Sequence, residues 1–193
     1  MRLVFQDLDG VFNCNATYRA MKHNPDRKNP IYHLEERLVT RVDEALRECG
    51  VDSVVLSTTW REDHSQEAVT KYLRDKGFTL PIIGVTPRIP QPPEWRGFTY
   101  DFNRRGMEIQ GWLEANFPNE TWRDLHIAII DDKADMGVLS RWHVHTKEAS
   151  GYLPENTRRL RKVLEKPLGD QVKWRFDLST MVVFTDPFIG DPK

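Results

Sequence analysis

Short apolar runs alternate with longer amphipathic stretches along the chain. Runs of consecutive apolar residues predict buried β-strands, and apolar residues that recur every three or four positions predict helices. Strands are predicted at residues 2–6, 54–56, 81–85, 125–130 and 142–146, and helices at 34–49, 65–76, 104–117, 134–140 and 154–166. Strands that alternate with helices in this way indicate an α/β domain with a mainly parallel sheet.

The run at residues 125–130 is the clearest strand, and it is almost continuously apolar. Such a strand is typical of a parallel sheet that is covered on both faces. We therefore predict a Rossmann-like, three-layer α/β/α fold. A chain of 193 residues can bury a core of its own, and residues 1–167 are predicted to form one domain.

Three stretches match neither template. Residues 13–33 contain several asparagines, prolines and cations, and they predict an irregular segment that is either a small flap, acting as a minimal cap, or a solvated loop. Residues 86–100 are rich in proline and aromatic side chains and predict either a functional loop or a rigid surface connection. Residues 168–193 alternate weakly and predict a C-terminal extension that adds an edge hairpin or packs on a partner.

Composition narrows the function classes only a little. The formal net charge of −1 gives no global basic field for nucleic acid, although a local basic groove needs only a few side chains. Cys14 and Cys49 have no metal-type spacing, so we expect free thiols and a cytoplasmic protein. No apolar run approaches the roughly 20 residues that cross a bilayer, and the polar N-terminus does not resemble a signal peptide.

Polar clusters follow three of the predicted strands. They are Asp7 with Asp9, Ser57 with Thr58, and Asp131 with Asp132. In parallel α/β sheets, ligands bind at the carboxyl ends of the strands, so these clusters are predicted to share one edge. Clustered carboxylates are good ligands for a hard cation such as Mg²⁺. The alternative for the first pair is a solvated turn, because Asp and Gly are common turn residues.

Together these motifs resemble the haloacid dehalogenase (HAD) superfamily of phosphatases. The resemblance covers about residues 2–165 and rests on Asp7-Leu8-Asp9-Gly10-Val11, on Ser57 after its apolar run, and on Ile127-Ala128-Ile129-Ile130-Asp131-Asp132. The segments around Thr58-Thr59-Trp60-Arg61 and Arg105-Gly106 look more like the small HAD domains of nucleic-acid repair proteins.

The resemblance implies roles for these residues. Asp7 would attack phosphorus and form an aspartyl-phosphate, and Asp9 would be the general acid and base. Ser57 would donate a hydrogen bond to the phosphoryl oxygens. A Mg²⁺ ion would be held by Asp7, by the backbone carbonyl of Asp9 and by Asp132, with Asp131 or Asp135 assisting.

The usual lysine of this family's pattern has no clear counterpart. Arg105 is the first choice for the active-site cation, because a guanidinium binds phosphate and carboxylate in a forked geometry. Arg104 and Lys133 are the rivals, and each of the three could instead be an exposed charge at a helix end.

Other candidates lie beside the motifs. Gly10, Thr58, Trp60 and Arg61 are predicted to line the phosphate pocket. Trp60 has core packing as its alternative. His143 and His145 lack a third metal ligand nearby and are predicted to be structural. The basic residues between 158 and 162 are predicted to be a solvated helix face.

Chain spacing limits the substrate. About 50 residues separate Asp7 from Ser57, and about as many separate Ser57 from Arg105, which leaves no room for a large cap domain. An open site admits a large substrate, so the leading hypothesis is a Mg²⁺-dependent phosphomonoesterase acting on a phosphorylated nucleotide or nucleic-acid end. The alternatives are a phosphatase of another small phosphate ester and a HAD-like binding or scaffold module without catalysis.

Overall fold

A computed structural model describes residues 1–25, 27–89, 104–117 and 119–169. Its strands are β1 (Arg2–Gln6), β2 (Ser53–Leu56), β3 (Ile82–Val85), β4 (His126–Asp131) and β5 (His143–His145). Its helices are α1 (Asn15–Met21), α2 (Glu36–Glu48), α3 (Gln66–Asp75), α4 (Arg104–Asn116) and α5 (Pro154–Leu164). Within the described residues, four 3-10 segments accompany them, at Pro30–His33, Thr59–Glu62, Asn119–Asp124 and Gly137–Trp142.

The five strands form one sheet in the order β3-β2-β1-β4-β5, and each neighbouring pair is parallel. The chain first builds outward from β1 to β3 and then returns to the other side of β1 with β4. The strand order therefore reverses between β1 and β4, and this switch point is where open α/β sheets bind their ligands.

Two apolar cores cover the two faces of the sheet. Because side chains alternate along a strand, Val4 enters one core while Leu3 and Phe5 enter the other. The first core also contains the inward faces of α2, α3 and α5, and the second contains that of α4. The predicted three-layer α/β/α fold with a parallel sheet is thus confirmed.

The prediction of an irregular segment at residues 13–33 was wrong, because this stretch contains α1 and the 3-10 turn Pro30–His33. Helix α1 is short, and Thr17 is its only buried residue, so it has no apolar period to detect. Contacts with distant residues hold it instead. The Asn15 N–H donates to the Glu148 carbonyl over 2.9 Å, and the Thr17 hydroxyl donates to the Glu35 carboxylate. The helix predicted at 134–140 is also a 3-10 segment, and it begins later, at Gly137.

Two further predictions concern stretches that the structure describes only in small part. Most of the aromatic stretch at 86–100 and of the extension at 168–193 lies outside the described residues. Among the helices that the structure describes, none has the length and apolar character needed to cross a membrane.

Candidate active site

The site lies at the switch point, where β1 and β4 end side by side. Gln6 pairs with Ile130 in the sheet, and the Asp7 N–H donates to the Ile130 carbonyl over 2.9 Å. Asp7, directly after β1, therefore lies beside Asp131, the last residue of β4. The register of two buried strands thus brings together two carboxylates that are more than 120 residues apart in sequence.

Asp7, Asp131 and Asp132 form a carboxylate cluster, in which one oxygen of each lies within 4.8 Å of the others. Gly10 allows Asp132 to approach the turn after β1. Its φ is 66°, and a Cβ at this position would lie 2.6 Å from the Asp132 Cβ. Three convergent carboxylates, two of them buried, suit a hard oxygen-preferring cation such as Mg²⁺.

The raised pKa values of two carboxyl groups in the cluster also indicate that a nearby positive charge would be favourable. Burial raises the pKa of Asp7 to about 6, and the neighbouring carboxylates add to this increase while Arg105 opposes it. Burial and the charge of Asp7 also raise the pKa of Asp131 well above its usual value. Two anionic carboxylates side by side repel each other, and a nearby cation relieves this repulsion, so the cluster suits a metal ion and a buried arginine.

Arg105, in the first turn of α4, supplies one such charge. Its Nε lies 3.0 Å from Asp131 Oδ2 and its Nη2 lies 3.8 Å from Asp7 Oδ2. The Arg105 backbone N–H donates to Asp135 Oδ2 over 3.2 Å, so Asp135 fixes the start of the helix. Lys133 is different, because its side chain is 64% exposed and its Nζ contacts Asp132 over 3.3 Å.

Glu108 is a second buried charge on α4, and three arginines surround it. The shortest contact joins its Oε2 to Arg61 Nη2 over 2.6 Å, and Arg104 and Arg105 approach it at 3.2 and 3.8 Å. Arg61 also donates to the Thr58 carbonyl over 2.6 Å. The guanidinium of Arg61 is thereby held in a buried ion pair that ties α4 to the turn after β2. Arg104 also forms an ion pair with Glu108.

The Asp9 carboxylate is held by three donors from three parts of the chain. Asn13 Nδ2 and the Tyr18 hydroxyl donate to its Oδ1 over 2.7 and 2.9 Å, and Trp60 Nε1 donates to its Oδ2 over 3.0 Å. Asn13 Oδ1 also accepts from the Gly10 N–H over 2.8 Å. Trp60 is only 9% exposed, so it packs in the core and contacts the site at the same time.

The turn after β2 adds a buried hydroxyl. The Ser57 N–H donates to the Gln6 carbonyl over 2.8 Å, which places Ser57 next to the end of β1. Its Oγ is buried and has no hydrogen-bond partner within the described part of the chain. Buried hydroxyls are normally paired, so this one is available to a ligand. Thr58 is fully buried, and its own Oγ1 accepts from the Trp60 N–H.

The histidines of β5 contact the backbone of the cluster rather than its carboxylates. The Nε2 atoms of His143 and His145 each lie 2.9 Å from a carbonyl oxygen, that of Asp131 and that of Asp132 respectively. Burial lowers the pKa of His143, in keeping with a neutral ring. These contacts fix the path of the chain where β4 ends.

Most of these residues were predicted as site residues from the sequence, but Asn13, Tyr18 and Glu108 were not. Glu108 carried a signal, because it is a charged residue three positions after Arg105 and next to the apolar Ile109 on the buried face of α4. Asn13 and Tyr18 lie in a segment that had been predicted as irregular. Nothing in their spacing from Asp9 pointed to a contact with it.

Comparison with known proteins agrees with this geometry. The family model described as "HAD domain in Swiss Army Knife RNA repair proteins" matches residues 3–157, which is well over half of the chain. No curated protein and no solved structure matched the chain in the same comparisons. The matched span includes the five strands, the carboxylate cluster, Arg105 and the donors to Asp9. The chain therefore belongs to the family of HAD domains found in Swiss Army Knife RNA repair proteins.

Proposed function

We propose that the protein is a Mg²⁺-dependent phosphomonoesterase that removes a terminal phosphate from RNA through an aspartyl-phosphate on Asp7. The observation that carries this proposal is the buried Asp7 carboxylate, with Arg105 3.8 Å away and Asp131 and Asp132 in the same cluster. A purely structural module gains nothing from burying several carboxylates together, since each loses its hydration.

In the first step, an oxygen of Asp7 attacks phosphorus in line with the leaving oxygen. The Asp7 O–P bond forms as the P–O bond to the leaving group breaks. As this bond breaks, the Asp9 carboxyl group acts as the general acid and gives a proton to the leaving oxygen. The three donors from Asn13, Tyr18 and Trp60 keep the Asp9 carboxyl in one orientation and stabilise the anion that it becomes.

In the second step, Asp9 takes a proton from water as the water oxygen attacks phosphorus. The bond between Asp7 and phosphorus breaks, which releases inorganic phosphate and restores both carboxyl groups to their starting states. Arg105 and the free hydroxyl of Ser57 are suited to bind the phosphoryl oxygens, where negative charge is concentrated. Asp7, Asp131, Asp132 and the Asp9 carbonyl would hold Mg²⁺, which when bound offsets the charge of the carboxylates and the phosphoryl group.

Two observations support the proposed substrate class: the small size of the described cap elements and the family description. Among the described residues between β1 and α2, the regular elements are the seven-residue α1 and the 3-10 turn Pro30–His33, which together are far smaller than a cap domain. A cap of this size between β1 and α2 leaves room for the end of a long polymer. The family description places related domains in RNA repair proteins, which supports an RNA end as the substrate.

Phosphate release tests the proposal directly. The purified protein should release phosphate from an aryl phosphate when Mg²⁺ is present, and release should stop when EDTA is added. Oligoribonucleotides with a 5′- or a 3′-phosphate should be turned over with a higher kcat/KM than the aryl phosphate. Release that is unchanged in EDTA would contradict the metal requirement, and no preference for oligonucleotides would contradict the substrate class.

Metal binding should also stabilise the fold. At about 100 times its Kd, a ligand adds about 2.7 kcal/mol, which raises the Tm of a domain of this size by about 5–10 °C. We expect such an increase with Mg²⁺ in a thermal melt, and we expect Asp132→Asn to reduce it to a small fraction. Asp75→Asn is the matched control, because Asp75 is paired with Lys71 on the surface and should leave the increase intact. An equal increase in both variants would exclude Asp132 as a ligand.

Tyr18→Phe should slow turnover without unfolding the protein. The change removes one hydroxyl, which donates to Asp9 over 2.9 Å, and a hydrogen bond to a charged group contributes about 1.5–3 kcal/mol. We therefore expect kcat for an aryl phosphate to fall about tenfold or more. Tyr32→Phe is the control, because that side chain is 43% exposed and should have no effect. Equal kcat values in the two variants would show that Tyr18 does not assist Asp9.

A further inference from the structure

A cavity lies beside α1, outside the carboxylate cluster. Its volume is about 580 Å³, and it is widely open to solvent. The residues that line it come from α1 and the segment that follows: Asn15, Tyr18, Arg19, Met21, Lys22 and Arg27. None of them belongs to the phosphoryl-transfer machinery except Tyr18, which forms both a wall of the cavity and a contact with Asp9.

The cavity is strongly cationic. Arg19, Lys22 and Arg27 line it, and no carboxylate lines it among the residues that the structure describes. Within the same residues, none of the three cations forms an ion pair. The whole chain has a net charge of −1, so three cations around one cavity are a local concentration of positive charge. Its most favourable occupant is an anion with several charges.

The position of the cavity indicates which part of a substrate reaches it. Asp9 gives its proton to the leaving oxygen, and the remainder of the substrate is attached to that oxygen. The substrate therefore continues from the site past the groups around Asp9, and Tyr18 is one of them. The ring of Tyr18 and the side chain of Met21 offer apolar surface for a base, and the three cations suit the phosphodiesters on either side of it.

We propose that this cavity binds the nucleotides next to the terminal phosphate of a single-stranded polynucleotide. The inference rests on the proposed phosphatase function and adds to it a second recognition site, which reads the polymer rather than its end. Base stacking and cationic contacts to the backbone bind single strands with little sequence preference. The site should therefore increase affinity with substrate length and should be sensitive to salt.

The test compares two variants, one that removes the positive charges lining the cavity and one that removes the same number of positive charges elsewhere. Arg19→Gln, Lys22→Gln and Arg27→Gln are combined in one variant. Arg158→Gln, Lys162→Gln and Lys166→Gln are combined in the other, which has the same change in net charge on exposed residues. Lys162 and Lys166 lie at the end of α5, at the opposite edge of the sheet, because the Leu164 carbonyl lies 2.9 Å from Nδ1 of His126, where β4 begins. Arg158 lies one turn earlier in the same helix.

Binding is measured by the fluorescence anisotropy of labelled, 3′- or 5′-phosphorylated oligoribonucleotides of one to six nucleotides, in the turnover-deficient Asp7→Asn background. We expect the cavity variant to lose about tenfold or more in affinity for the longer oligonucleotides and to lose the dependence of affinity on length. The slope of log Kd against log salt concentration should fall by about 0.7 for each lost phosphate contact, or about 2 in total. The control variant should behave like the parent protein.

The outcomes separate this inference from the proposed function. Turnover of an aryl phosphate, which is too short to reach the cavity, tests the phosphatase alone. It should be the same in the wild type and in the two triple variants when Asp7 is intact. Absence of turnover with cavity-dependent binding of oligonucleotides would overturn the function and leave the binding site standing. Equal affinity in the cavity variant and the parent, or equal losses in the two triple variants, would overturn the inference. A loss of affinity for mononucleotides as large as that for hexanucleotides would overturn it as well.

Discussion

Asp7→Asn is expected to abolish phosphate release, with a loss in kcat on the order of 10⁴-fold or more. An amide nitrogen or a neutral amide oxygen cannot replace the carboxylate as the nucleophile, so no aspartyl-phosphate can form. The measurement is phosphate release from an aryl phosphate in Mg²⁺. Incubation of the wild-type protein with substrate labelled in the phosphoryl group should in addition leave label on Asp7 after acid quenching, and the variant should retain none.

The stability of the variant distinguishes a chemical effect from a structural one. Asp7 is 3% exposed, and its burial raises its pKa to about 6, so the carboxylate is costly to bury without metal. Asparagine has the same shape and no charge, and in EDTA we expect a Tm at least as high as that of the wild type. Asp75→Asn changes a surface aspartate in the same way and should alter neither activity nor Tm. Full activity in Asp7→Asn would refute the assignment of the nucleophile.

The sequence predicted the sheet and its acidic edge because both depend on local patterns. An apolar run that ends in a charge marks the end of a buried strand, and parallel strands have their carboxyl ends at one edge. These two rules predict that Asp7, Ser57 and Asp131 lie close together at the carboxyl edge of the sheet, and in the structure all three lie at this edge. The register adds the detail that Asp7 lies beside Asp131, because Gln6 pairs with Ile130.

The environment of Asp9 could not be predicted in this way. Its donors include Tyr18 of a seven-residue helix whose formation depends on contacts with Glu35 and Glu148, both distant in sequence. Local helix propensity does not predict such a helix, because tertiary packing supplies most of a short helix's stability. The ion-pair partner of Arg61, Glu108, could not be predicted for a related reason. This ion pair requires α4 to pack beside the turn after β2, and nothing in the local sequence indicates this.

Arg105, which we propose as the active-site cation, gives the second large expected effect. Arg105→Ala should lower kcat by about 10²- to 10³-fold, as is typical when one charged donor to a developing anion is removed. Its guanidinium is buried and lies within 4 Å of Asp7, Asp131 and Glu108. Removing it leaves these carboxylates without compensation, and breaking a buried ion pair costs about 3–5 kcal/mol. We therefore expect a clear fall in Tm as well as in activity.

Lys133→Ala is the matched comparison, because Lys133 also contacts the cluster but is mostly exposed. An exposed ion pair contributes at most about 1 kcal/mol, so kcat should fall by no more than about fivefold. Arg105→Lys separates charge from geometry, since it keeps the fold-stabilising charge but loses the fork that reaches Asp7 and Asp131 together. Its Tm should lie near that of the wild type while kcat stays reduced at least tenfold. If Lys133→Ala instead lost most activity and Arg105→Lys retained it, the cation that binds the phosphoryl group would be Lys133, and Arg105 would serve only to stabilise the buried carboxylates.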